Sequence, residues 1–295
     1  MSYTMTISTT RRLVCYLTLI VVVGVLLLVT LVVVFAHNWL EEARRPFQCP
    51  LNHVQRNLLT RTLQTLTSAL DAANITYFMM SGTLLGSYRH HDRIPWDDDV
   101  DLIMSTFEQT RLKAAVVSLE PDFRLRCSAA RAGCQWKFYM STLVPGSHRI
   151  WISLLPARWP YIDIFFYEKN ATHVWNTCSW FPDEVWPLRA VFPLRRRPFG
   201  DLSLPAPCDT TATLAVNFDT TRCQSRQFDH LTNVRLWLGL RSPVEVDCRS
   251  LEMLWPFVRR RRWTDESGTR QVTETLWAAG GERTVREVTL VDQCL

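Results

Sequence analysis

Four carboxylates fall within five residues in Pro95-Trp-Asp-Asp-Asp-Val-Asp101. At that density they repel one another unless a cation neutralises them. Two readings stay open: a site for a hard divalent metal, or an acidic surface turn that leads into a strand. If the chain is extended from Asp97 onward, the two-residue period puts Asp97, Asp99 and Asp101 on one face and turns Val100, Leu102 and Met104 toward the core. Asp99 and Asp101 are then the principal metal ligands, with Asp97 and Asp98 as secondary candidates.

Asp163 lies in Tyr-Ile-Asp-Ile-Phe-Phe-Tyr, on the strand face opposite Ile162, Ile164 and Phe166. An unpaired carboxylate there is costly. It is either a third ligand or a core carboxylate paired with an arginine. Ser81-Gly82-Thr83 marks a strand turning into a helix through small residues, where backbone N–H groups become available to phosphate oxygens; alone, such a turn is only a turn. Arg89 and Arg195 to Arg197 are candidate phosphate contacts or solvated basic residues. His90 and His91 read as solvated or phosphate-contacting, since Mg²⁺ and Mn²⁺ prefer oxygen ligands.

The elements that must position these groups are legible in part. Leu51 to Ala73 carries Val54, Leu58, Leu63, Leu66 and Leu70 at helical spacing. Thr76 to Met80 reads as a buried strand, Leu84 to Arg89 as a brief helix, Asp99 to Met104 as a strand and Thr106 to Leu119 as a helix. Further strands are expected over Gln135 to Met140 and Tyr161 to Tyr167. The Pro-rich stretch from Trp180 to Pro207 reads as irregular chain packed on the domain. The C-terminal third, with Trp237, Trp255, Phe257 and Trp263, gives weak periodicity.

With 295 residues, 47% of them hydrophobic, the chain can bury a sizeable core. Leu13 to Ala36 is an uncharged apolar run long enough to cross a bilayer. It is also too long for an ordinary cleaved leader. The expected order is a cytosolic tail (1–12), a transmembrane signal anchor (13–36), a stem (37–50) and a lumenal domain (51–295). Of nine cysteines, all but Cys15 lie beyond the run, and Asn74-Ile-Thr and Asn170-Ala-Thr are glycosylation acceptor patterns. Together they indicate an oxidising lumen and disulfides over buried thiols or a zinc site. The net charge of +5 comes from 30 arginines and three lysines. In a lumen the partners are anionic phosphates, and no nucleic acid is expected.

The combination of a Gly-Thr turn, an Asp-x-Asp strand beginning 17 residues after Gly82 and a later strand Asp is far more specific than any part. The stretch MSGTLLGSYRHHDRIPWDDDVDLIM resembles the signature of the LicD family, which includes bacterial phosphocholine transferases and the animal fukutin and fukutin-related proteins. The likeness extends from about Tyr77 to Cys223 through VFPLRRRPFGDLSLPAP. It implies an α/β nucleotidyltransferase-like domain with a mixed sheet, and family site positions at Gly82, Thr83, Asp99, Asp101 and Asp163. The activity so implied is Mg²⁺- or Mn²⁺-dependent transfer of a phospho-alcohol from a CDP-linked donor to a glycan or glycoprotein, in a Golgi or ER membrane protein of type II orientation. The alternatives are an Asp-x-Asp glycosyltransferase using a sugar nucleotide, or a catalytically silent glycan-binding scaffold.

Overall fold

The computed structural model describes residues 16–34, 46–127, 134–142, 144–152, 155–231, 234–235, 243–292 and 294. The expected cytosolic tail, both ends of the expected span, residues 37–45 of the stem, Cys15 and Trp237 lie outside them. The chain divides into two units, 1–46 and 47–295. The first holds a helix, α1 (Tyr16–Val34), of 19 residues with mean hydropathy 3.3, long and apolar enough to cross a membrane. Thr30 Oγ1 donates back to the Leu26 carbonyl at 2.8 Å, which satisfies that hydroxyl within the helix.

The second unit begins with α2 (His53–Ala72), β1 (Tyr77–Met79), α3 (Ser81–His90), β2 (Asp101–Ser105), α4 (Gln109–Val117), β3 (Phe123–Cys127), β4 (Gln135–Met140), β5 (His148–Ile152), β6 (Leu155–Trp159) and β7 (Tyr161–Lys169). It continues with β8 (His173–Asn176), β9 (Val185–Pro187), α5 (Leu188–Val191), β10 (Arg195–Phe199), β11 (Leu202–Ala206), α6 (Thr210–Leu214), β12 (Arg222–Gln224), β13 (Phe228–Asp229), β14 (Val234–Arg235) and β15 (Glu245–Asp247). Last come β16 (Phe257–Thr264), β17 (Arg270–Trp277) and β18 (Thr284–Val291). Among the described residues the central sheet has seven strands, ordered β1-β2-β7-β4-β3 with β8 on β7 and β9 on β8. β2 and β7 run parallel while β1–β2 and β4–β7 are antiparallel, so the expected mixed-sheet α/β class is what the chain adopts.

Asn52 starts α2 through a capping box: its side chain accepts from Gln55 N–H, and Gln55 accepts from Asn52 N–H. Asn74, at φ +51°, turns the chain out after it. Leu59, Leu63, Leu66 and Leu70 are buried, each contributing about 1.5–3 kcal/mol; Val54, expected on that face, is exposed. Helices α2 and α4 cover Leu102, Met104, Ile164 and Phe166 on one side of the sheet. The pleat sends Phe78, Ile103 and Phe165 to the other side, against Val174, Trp186 and Val191.

Several expectations need correction. The helix after the first strand begins at Ser81 and not at Leu84, while the Thr106 to Leu119 helix is a 3₁₀ turn over Thr106–Glu108 followed by α4. The Pro-rich stretch is not irregular throughout. Its second half is the β10–β11 hairpin, turned by Gly200 at φ +58°. Pro198 and Pro205 are tolerated because each strand of a two-stranded ribbon has an edge where a missing N–H costs no ladder bond. The C-terminal third forms the antiparallel sheet β16-β17-β18. Its alternation is masked in the sequence because Arg260 is drawn inward by Glu274, which is 1% exposed.

Disulfides join Cys134 to Cys178, Cys208 to Cys294 and Cys223 to Cys248. Cys49 and Cys127, also expected to be bridged, are free thiols.

Candidate metal centre

The register of three neighbouring strands builds the site. Asp101 is opposite Asp163 in the parallel β2–β7 pair, and Asp163 is opposite Lys137 in the antiparallel β7–β4 pair. The three side chains therefore form a row on the face away from α2 and α4. Asp163 N–H donates to the Val100 carbonyl at 2.9 Å, and Asp101 N–H donates to Thr83 Oγ1 at 2.7 Å. These bonds fix the backbone on both sides of the acidic turn. Carboxylate oxygens of Asp99, Asp101 and Asp163 lie within 4.8 Å of one another.

The route from Asp97 to Asp101 differs from the extended run expected. The strand starts at Asp101, two residues late, and a turn precedes it with Asp97 N–H donating to the Ile94 carbonyl at 3.0 Å. Asp97 Oδ1 accepts from Asp98 N–H at 3.1 Å, a local bond that competes with strand pairing. Asp98 consequently points elsewhere. It is 1% exposed and accepts from Arg226 at 2.9 Å and from His230 N–H at 3.0 Å. The His230 ring bridges two carboxylates, with Nδ1 2.8 Å from Asp98 and Nε2 3.0 Å from Asp99.

Burial works against a charged His230, yet Asp99 and Asp98 overcome it and raise its pKa to about 10. Burial likewise disfavours an ionised Asp98, but the hydrogen bond and charge of His230, with Arg226, hold it below the usual carboxylate range. Asp97 and Asp101 go the other way. Desolvation, then the charge of neighbouring aspartates, raises both well above that range. Asp163 is raised by burial in spite of Lys137, whose Nζ sits 2.5 Å from its Oδ1 and 3.6 Å from the centre of the Tyr161 ring. When ionised, these carboxylates bring more negative charge than their protein partners neutralise, and their donors are oxygen throughout. Asp99, Asp101 and Asp163 thus fit a hard divalent cation such as Mg²⁺ or Mn²⁺.

The small-residue turn is the first turn of α3. Ser81 Oγ donates to the buried Glu184 at 2.9 Å, and Thr83 braces Asp101 as described. A Cβ on Gly82 would come within 3.2 Å of Asp97 Oδ2. The positive end of the helix dipole is thereby set against a carboxylate of the chain. Gly86 is a close approach of another kind: a Cβ there would meet the backbone of Asp92 to Ile94 at 2.5–2.9 Å, so glycine lets α3 lie against the chain leading into the acidic turn.

Other basic candidates are engaged away from this row. Arg89 is buried, donating to the carbonyls of Asp219, Thr220 and Arg222, which corrects its assignment to phosphate. His90 and His91 are buried too, not solvated: His90 bonds the Pro256 carbonyl at 2.6 Å, and His91 bonds Glu274 at 2.9 Å. Burial pushes the His90 pKa down to about 3. Arg197 of the Arg195–Arg197 trio is buried against Glu274.

The sequence reading missed Lys137, His230 and Arg226. Lys137 had a signal: it is one of three lysines and interrupts an apolar strand between Trp136 and Phe138. His230 and Arg226 had none, because a loop more than 120 residues away brings them to Asp98.

Residues 74–209 match the family model described as LicD/FKTN/FKRP, nucleotidyltransferase domain. This stretch is a LicD-family domain. The LicD match takes in the whole acidic row, from Ser81 through Asp163. Ribitol 5-phosphate transferase FKRP of Mus musculus is 48% identical over 44 residues, 15% of this chain and 9% of that protein. Ribitol-5-phosphate transferase FKTN of Mus musculus is 27% identical over 170 residues, 57% of this chain and 34% of the relative. The Macaca fascicularis FKTN is 25% identical over 224 residues, 73% of this chain and 43% of the relative. The chain thus spans less than half the length of each of these LicD relatives.

Proposed function

We propose that the chain transfers a phospho-alcohol, of the phosphocholine or alditol-phosphate type, from a CDP-linked donor to a hydroxyl of a glycan or glycoprotein, releasing CMP. What carries this is the convergence of Asp99, Asp101 and Asp163 at the start of a parallel strand pair in a LicD domain. The relatives' names, ribitol 5-phosphate transferases, support a phospho-alditol as the group transferred.

A divalent cation held by Asp99, Asp101 and Asp163 would neutralise the donor diphosphate and the charge that grows on departing CMP. The acceptor oxygen forms a bond to phosphorus as the phosphorus–oxygen bond to CMP breaks, and the hydroxyl proton passes to a carboxylate, Asp163 in our assignment. Lys137 holds that carboxylate in one orientation. Lys137 and His230 also lower the negative charge of the row, so that an anionic donor can approach. Thr83 fixes Asp101 through its backbone, and Gly82 leaves room between α3 and Asp97.

The test is CMP release by the full chain in detergent, offered CDP-ribitol, CDP-glycerol and CDP-choline with a glycan acceptor. Turnover with one donor should fall to background in EDTA and return with Mg²⁺ or Mn²⁺, and the product mass should rise by a phosphodiester-linked group. Full turnover in chelator would remove the metal from the reaction. A product that gains a sugar without phosphorus would make the enzyme a glycosyltransferase.

For topology we propose α1 as a signal anchor, with residues 1–12 cytosolic, 37–50 a stem and 51–295 in the lumen of the Golgi or ER. The three disulfides support an oxidising compartment. Asn74 and Asn170 are both exposed, as glycan acceptors must be. Glycosidase should therefore shift the protein on a gel, and Asn74→Gln and Asn170→Gln should each remove one step. Unshifted protein would overturn the lumenal assignment.

A further inference from the structure

A cavity of about 950 Å³ lies between the β10–β11 hairpin with α5 and α6 on one side and the β16-β17-β18 sheet on the other. Its two walls are tied by the Cys208–Cys294 disulfide. It shares no residue with the Asp99, Asp101 and Asp163 group.

Seven arginines line it against three carboxylates, an excess of four positive charges. The carboxylates are already engaged. Glu274 accepts from Arg197, Arg260 and His91; Asp292 pairs with Arg262 at 2.9 Å; Asp209 caps α6 through Ala212 N–H. Arg189 and Arg270 are exposed on the cavity wall and carry no carboxylate partner among the described residues. Arg196 is exposed as well, its guanidinium donating to the Ser203 carbonyl. Uncompensated guanidinium groups lining one cavity favour a multiply charged anion, because each offers a forked pair of donors to phosphate or sulfate oxygens.

The rest of the lining narrows the class. Thr210, Thr211 and Thr289 place hydroxyls among the arginines, groups that exchange hydrogen bonds with sugar hydroxyls. The volume is that of a ligand pocket, enough for a few sugar rings. A duplex nucleic acid would instead need an open basic surface.

We infer that this cavity binds an anionic carbohydrate, one bearing sulfate or phosphate groups, at a site separate from the acidic row. Arg189, Arg196 and Arg270 contact the anionic groups, and the threonines contact the ring hydroxyls. α3 lies between the two sites: Thr83 braces Asp101 near its start, and Tyr88 lines the cavity five residues on, about 7.5 Å of helix rise.

Binding is read without turnover, so it stands apart from the transferase reading. Calorimetry of the full chain in detergent uses a heparin-type sulfated tetrasaccharide, its desulfated counterpart, a phosphomannosyl oligosaccharide and an acidic peptide of equal charge. The expected result is binding of the sulfated or the phosphorylated sugar, the comparison of those two arms identifying the anion. Desulfation should abolish binding of the tetrasaccharide, added salt should weaken that of either anionic sugar, and the Arg189→Ser/Arg270→Ser variant should bind about tenfold or more weakly at an unchanged melting temperature. Asp101→Asn should bind as the wild type does. Equal affinity for the desulfated sugar, indifference to the double substitution, or tighter binding of the peptide than of either anionic sugar overturns the assignment.

Discussion

Asp101→Asn is expected to lower CMP release by about 10²–10³-fold while leaving the protein folded, since it removes negative charge that would hold the proposed cation but leaves the backbone bond to Thr83 Oγ1 in place. Without metal the aspartates oppose one another: desolvation and the charges of Asp99, Asp163 and Asp97 raise the Asp101 pKa. The Asn variant should therefore be at least as stable as the metal-free wild type. On addition of Mg²⁺ at about 100 times its dissociation constant, the wild type should gain about 2.7 kcal/mol and the variant less. A purely structural carboxylate predicts the reverse, because losing it leaves a buried partner unsatisfied at a cost of about 1–3 kcal/mol. Thermal melts with and without Mg²⁺, beside activity on the same preparations, separate the two. A variant that melts early and keeps its specific activity would defeat the metal assignment.

Glu274→Ala should be the most destabilising single substitution away from that row, at about 3–5 kcal/mol in urea unfolding. Its carboxylate is 1% exposed and accepts from Arg197, Arg260 and His91, so truncation leaves two guanidinium groups without their counter-charge and a buried imidazole without its hydrogen-bond partner. The same carboxylate sets an acid limit. Burial would raise its pKa, but the His91 hydrogen bond and the charges of Arg197 and Arg260 pull it down to about 2, from an ordinary 4.5. A folded-state pKa below the unfolded one means stability that is fully present above about pH 4.5 and lost as pH falls toward 2. Urea midpoints measured from pH 6 to pH 2.5 should decline in the wild type and lose much of that slope in Glu274→Gln. An unchanged slope in Glu274→Gln would assign the decline to other carboxylates.

Local pattern made the frame of the site legible. Alternation of polar and apolar residues in Asp99 to Met104, and the β-branched and aromatic run Tyr161 to Tyr167, identified two strands, and Leu102, Met104, Ile162, Ile164 and Phe166 did face the core. Helix α2 was legible because its leucines recur at helical spacing and Asn74 ends it, although its start was placed at Leu51, just before the Asn52 cap. What failed was whatever depends on a distant partner. His90 and His91 look solvent-facing beside charged neighbours, yet Pro256 and Glu274 draw them inside. Arg89 reads as a phosphate ligand until the carbonyls of residues 219, 220 and 222 account for its donors. The turn at Asp97 and Asp98 was misread as strand because side-chain bonds to neighbouring backbone carry no period.

The parallel pairing of β2 with β7 places Asp101 beside Asp163 across a long intervening stretch of chain. No local segment can assemble that pair, and closing so long a loop comes late among the events of folding. A partly folded chain has β1, α3 and the acidic turn near one another in sequence but lacks the third carboxylate. Any cation that binds the completed row therefore stabilises the native state more than the transition state that precedes it. Its effect falls on how slowly the protein comes apart, and hardly at all on how fast it assembles.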